Sequence, residues 1–198
     1  SSLIKEINGL RIGIFSLLSP DFFTGPSDPR RKGLNIRSQI ETAHAMVKEL
    51  KPKTDLIILL SHLGYVKDIE LAQTLQGINI IVGGHSGINL IYPPVIKNTI
   101  ILQTASRGMF GARLDLLLYN NEPTFYNSAT KISLENNLNS FNQRLNSKET
   151  PEVEKAQWQK AKEETERTLN QLRGKNVFTN NIIPLQDQMK DHPDIKKL

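Results

Sequence analysis

Along the first 118 positions, apolar residues gather in short runs, and between the runs they recur at helical spacing. LRIGIFSLL (Leu10–Leu18) is a short apolar run stopped by Ser-Pro, DLIILLSH from Asp55 is a continuous aliphatic strand of the kind buried on both faces in parallel sheets, and INIIVGGH is the next strand. Between the first two, SQIETAHAMVKEL puts Ile40, Ala43, Val47 and Leu50 on one helical face, with Ser38 and Glu41 spaced as a capping box and Pro52 ending the run. DIELAQTL repeats the theme in a shorter helix, with Ile69, Ala72 and Leu75 inward. TIILQT and ARLDLLLYN read as two more strands; the two glycines of ASRGMFG mark a turn, and a hairpin there would make the pair antiparallel. Alternation of strand and helix at this spacing predicts an α/β sheet with right-handed crossovers.

After Tyr119 the texture changes. YNNEPTFYNSATKISL is polar, with at most one strand. Ser133 is placed to cap a helix whose stripe is Leu134, Leu138, Phe141 and Leu145. Thr150-Pro151 then opens a longer helix with Trp158, Ala161, Thr165, Leu169 and Leu172 inward and Gly174 closing it. The segment from Asn176 onward reads as extended. The predicted division is 1–132 for the α/β part, 133–174 for a helical hairpin and 175–198 for an extended tail.

Composition narrows the chemistry. Cysteine is absent from the 198 residues, which excludes disulfides, thiolate metal sites and covalent haem attachment within the chain. No run approaches the ~20 apolar residues of a membrane span. Residues 1–20 lack the order of a signal peptide. The net charge of +5 arises largely around DPRRKGLNIR, a loop with Pro20, Pro26 and Pro29 nearby. A nucleic-acid surface would interleave such charges with aromatics along one element, so no nucleic-acid partner is expected.

Of the four histidines, His44 lies beside the inward face of its helix and reads as a surface or core-edge residue; His192, in DHPD, reads as a loop residue, with axial ligation of a neighbouring cofactor as the alternative. His62 and His85 are different, because each falls just past the end of a strand. Open α/β sheets bind ligands beyond their carboxyl strand ends, so both imidazoles can reach one crevice, and Gly83 and Gly84 let the backbone turn sharply there. Imidazole is a common ligand for divalent metals, which makes His62 and His85 candidate metal ligands; turn histidines are the other reading. Two ligands alone fall short of the three or four that zinc-type sites draw from protein.

RIGIFSLLSPDFF, DLIILLSHLGYVKDIELAQTLQGINIIVGGHSG and ILQTASRGMFGARLDLLL together resemble the second half of a calcineurin-like metallophosphoesterase domain, in the bacterial 5′-nucleotidase and UDP-sugar hydrolase branch, over about residues 7 to 119. The resemblance implies two divalent metal ions at the strand ends of a layered α/β sandwich, a water-derived nucleophile for in-line attack on phosphorus, and a periplasmic or cell-surface location. It maps one metal-binding histidine onto His62 and another onto His85.

Two departures qualify it. Where the family motif carries a second histidine, two positions after His85, this chain has Gly87. The Asp-x-His and Asn-His-Asp segments of the family's first half do not occur in these residues either. The expectation is a chain that begins mid-domain and is completed by an N-terminal half or a separate partner chain, with one sheet face otherwise exposed. Two readings follow: part of a metal-dependent phosphoester hydrolase, or a decayed scaffold or docking module in a larger assembly. The helical hairpin and tail stand where a nucleotidase carries its base-binding domain, similar to phosphoesterase domains joined to multihaem cytochromes, so a cytochrome neighbour is a further expectation.

Overall fold

The computed structural model describes residues 2–23, 25, 28–122 and 124–185. The expected His192 lies outside the described residues. The chain divides into two compact units, residues 1–113 with 180–198, and residues 114–179.

The first unit is built on a six-stranded sheet. Its strands are β1 (Ser2–Ile7), β2 (Leu10–Leu18), β3 (Leu56–His62), β4 (Ile80–Val82), β5 (Val95–Ile96) and β6 (Thr99–Leu102), in the spatial order β1-β2-β3-β4-β6-β5. Pairings β2–β3, β3–β4 and β4–β6 are parallel, while β1 and β5 close the edges antiparallel. Helix α1 (Gln39–Leu50) connects β2 to β3, and α2 (Tyr65–Thr74) connects β3 to β4. The Ser38 hydroxyl accepts from the Glu41 N–H and caps α1 as its spacing predicts.

Because β2, β3 and β4 follow one another in a single direction, crossovers of one hand place both helices on the same face. The core obeys this. Phe15 and Leu17 of β2, Ile57 and Leu59 of β3, Ile81 and Ile101 pack with Ala43, Val47, Leu50, Leu71 and Ala72 of the helices. The alternate residues form rows on the opposite face: Leu3, Ile14, Ile58, Ile80 and Ile100 in one register, Ser16, Leu60, Val82 and Leu102 in the next. Neither α1 nor α2 belongs to that face, yet Ile80, Ile100 and Leu102 are buried on it, so the expected open face is confined to positions such as Leu18, Leu60 and Val82.

In the unit of residues 114–179, α3 (Ser128–Asn146) and α4 (Glu152–Leu172) form an antiparallel-type hairpin. The predicted stripes are its half-buried positions, among them Leu134, Leu138, Phe141, Leu145, Trp158, Leu169 and Leu172, and no residue of either helix is fully buried. Phe141 stacks on Trp158 at 5.7 Å, and the Arg144 guanidinium covers the indole at 4.6 Å. The second sheet runs β7-β9-β8, from β7 (Phe110–Leu117), β8 (Phe125–Asn127) and β9 (Asn176–Pro184).

Several sequence expectations change. The hairpin between TIILQT and ARLDLLLYN does not form: β6 already has β4 on one edge and β5 on the other, and the chain leaves through Arg107 and Gly108, both at positive φ, to build β7 in the other sheet. Helix α2 begins at Tyr65 and α3 at Ser128, each earlier than its sequence signal, with Asn127 capping α3 in place of Ser133. Strand β1 went unread because its residues alternate too weakly: all six are exposed.

Candidate metal centre

His62 is the last residue of β3, paired in register with Leu18 of β2. His85 stands three residues beyond β4, in a left-handed conformation (φ 71°) that follows the Gly83-Gly84 turn. The turn brings the two rings edge to face, with centroids 4.9 Å apart. Nε2 of His62 lies 3.2 Å from Nδ1 of His85.

That spacing suits a shared ion. Two nitrogens at ~2.05 Å from a tetrahedral metal are about 3.3 Å apart. The donor set also suits borderline divalent metals. The chain stops at two such donors: among the described residues, no group of three His, Cys, Asp or Glu side chains is placed to hold an ion. Gly87 has φ 65°, and a side chain starting there would first meet Ser106, 3.5 Å away.

Neighbouring side chains fix the two histidine-bearing segments. Gln103, buried just past the end of β6, turns its amide oxygen to accept from the Gly87 and Ile88 N–H groups (3.1 and 3.2 Å) and donates to Ser86 Oγ. Ser86 Oγ also accepts from the Tyr65 N–H at 3.2 Å, which ties the His85 turn to the start of α2. Gly64, at φ 94°, opens that helix and lets the chain pass beside the His85 ring. On the other side, Phe22 meets His62 edge to face at 5.8 Å, and Arg30 lies over Phe22 at 5.2 Å while its guanidinium pairs with the buried Asp28 at 2.6 Å. Hydrogen bonds from the Lys67 ammonium and then Ser19, with the Lys67 charge behind them, hold Asp21 below the usual carboxylate range. An open cavity of about 330 Å³ adjoins His62 and is lined by Ser16, Leu17, Leu18, Leu60, Ser61 and Val82.

Residues 1–198 match no family model. A trifunctional nucleotide phosphoesterase of Bacillus subtilis is 30% identical over 119 residues, 58% of this chain. A probable 5′-nucleotidase of Treponema pallidum is 37% identical over 84 residues, 42% of the chain. Among solved structures, a 5′-nucleotidase precursor from Thermus thermophilus aligns over 62% of this chain and 27% of its own, at TM-score 0.52 and 27% identity. Over this stretch the chain is similar to part of these 5′-nucleotidases. The fold alone extends further, to the sulfate thiohydrolase SoxB of the same organism, at TM-score 0.54 and 21% identity over 58% of this chain and 21% of that one. The chain spans 8% of the Bacillus protein and 14% of the Treponema one.

Of the sequence candidates, His62 and His85 come together. His44 is exposed on α1, away from the strand ends. Sequence reading missed Ser61, Asp68, Ser86 and Gln103. Asp68 precedes Leu71 by three residues and Ala72 by four, on the same inward face of α2.

Proposed function

We propose that this chain contributes the two-histidine side of a divalent-metal phosphoesterase centre of 5′-nucleotidase type. The convergence of His62 Nε2 and His85 Nδ1 to 3.2 Å carries the reading. A divalent ion held there would supply Lewis acidity toward a phosphate ester and a water of lowered pKa. For both imidazoles to bind one ion, His62 offers Nε2 and keeps its proton on Nδ1, while His85 offers Nδ1 and keeps its proton on Nε2. The ring orientations follow from the end of β3 and from the turn held by Gln103 and Ser86.

The remaining ligands come from further polypeptide, from the same protein or a partner chain, laid against the sheet face that carries Ile14, Ile58, Leu60 and Val82. Leu18 and Leu60 of that face are 44% and 47% exposed, a poor state for an apolar patch bordering a metal centre. The relatives' names point to nucleotides as substrates. A bacterial periplasmic or cell-surface location belongs to the same proposal; among the described residues no helix is long and apolar enough to cross a membrane. A cytochrome neighbour has no observation behind it among the described residues.

A second reading has its own support. Gly87 offers no imidazole and sits in a conformation that penalises one, which suits a scaffold whose second metal position has been lost. The test is hydrolysis of nucleoside monophosphates with manganese, cobalt or zinc by the protein with its covering polypeptide present. Activity lost in both His62→Ala and His85→Ala supports the hydrolase. Folded wild-type protein that neither binds these ions nor hydrolyses nucleotides supports the scaffold.

A further inference from the structure

Asp68 is fully buried on the first turns of α2, behind the strand ends that carry the two histidines. One carboxylate oxygen, Oδ1, accepts from the Ser61 hydroxyl. Ser61 Oγ in turn accepts from the Leu63 N–H at 3.2 Å, so the serine brackets His62 from both sides of the chain. The other oxygen, Oδ2, has no hydrogen-bond partner. It stands against Gly83: a β-carbon there would fall 2.7 Å from it. Gly83 N–H donates to the Leu102 carbonyl at 2.7 Å, so the carboxylate meets a backbone segment already pinned on its other side.

A desolvated carboxylate with one orphan oxygen is a poor stabilising element. Its placement makes sense as a spacer. It meets both the residue before His62 and the turn before His85. We propose that Asp68 is a positioning residue that sets the distance between His62 and His85, through Ser61 on one side and Gly83 on the other. The inference deepens the phosphoesterase reading and rests on it for its use, though the distance it controls exists without metal.

The test uses the full chain with its histidines labelled with ¹⁵N, wild type against Asp68→Ala, first without metal and then titrated with Co²⁺ alone. The metal-free imidazole signals of His62 and His85 should both shift in the variant, while those of His44, exposed on α1, stay in place. Co²⁺ affinity should fall by roughly ten- to a hundredfold, the range for residues that orient metal ligands, with the visible spectrum of the bound ion altered and the melting temperature unchanged or higher. His62 and His85 signals that superpose on wild type would overturn the proposal. If Asp68→Ala fails to fold, Asp68→Asn decides in the same way: its amide oxygen still accepts from Ser61, so the fold is kept, and smaller shifts of the same two signals are expected. A wild-type protein that binds no Co²⁺ overturns the phosphoesterase reading and leaves the metal-free signals to judge Asp68.

Discussion

Leu60 of β3 and Val82 of β4 stand side by side in parallel register, both substantially open to solvent on the face that α1 and α2 leave bare. Burying a side chain of this kind is worth ~1.5–3 kcal/mol, so the open patch of Leu18, Leu60 and Val82 drives association. The chain produced alone should self-associate, and Leu60→Thr with Val82→Thr should reduce this without loss of helicity. Sedimentation of a stable monomer by the wild-type chain would contradict the open-face account.

Gly87 bears on metal count. With a glycine where the family motif has histidine, the assembled protein should hold at most one divalent ion tightly, measured by elemental analysis after dialysis. Gly87→His should add little, since a non-glycine residue in the left-handed region costs about 1–2 kcal/mol. Two tightly held ions per wild-type chain would show another ligand in that place.

Asp68 gives a pH dependence with a definite sign. Burial pushes its carboxyl up to about 6, the Ser61 hydroxyl drawing it partly back. Between pH ~4 and ~6 the folded chain therefore retains a proton that the unfolded chain, near 3.9, has shed, and stability falls as pH rises through that window. The difference in unfolding free energy between Asp68→Asn and wild type should move by about 2–3 kcal/mol in the variant's favour from pH 4 to pH 7. A difference flat across that range, followed by denaturant unfolding, would mean that Asp68 is solvated.

Trp158 reports on the hairpin. Held between Phe141 and Arg144, with its indole nitrogen shielded from solvent, it should emit blue-shifted of free tryptophan, and Phe141→Ala should shift the emission to the red.

The fold of the first unit was legible where local pattern and burial coincide. The aliphatic runs ending at Leu18, His62 and Val82 became parallel strands because a sheet buried in its middle leaves no alternation to misread. The hairpin stripes were equally plain, since Leu138, Phe141, Trp158 and Leu169 keep helical spacing. The fate of ARLDLLL was not legible: its neighbour is β9, some 60 residues later, and no local signal carries a non-local pairing. At the site, His62 and His85 were readable from their place after strands. Asp68 and Gln103 were not, because a polar residue on an inward face looks like surface until its partners are known.

The central claim is that His62 and His85 act together on one ion, and a Co²⁺ titration of wild type, His62→Ala, His85→Ala and the double variant tests it most directly. Each single variant should lose roughly tenfold or more in affinity, with the double variant much weaker than wild type but short of the sum of the two losses. A His85→Ala variant that binds Co²⁺ as tightly as wild type, or losses that add independently, would contradict it.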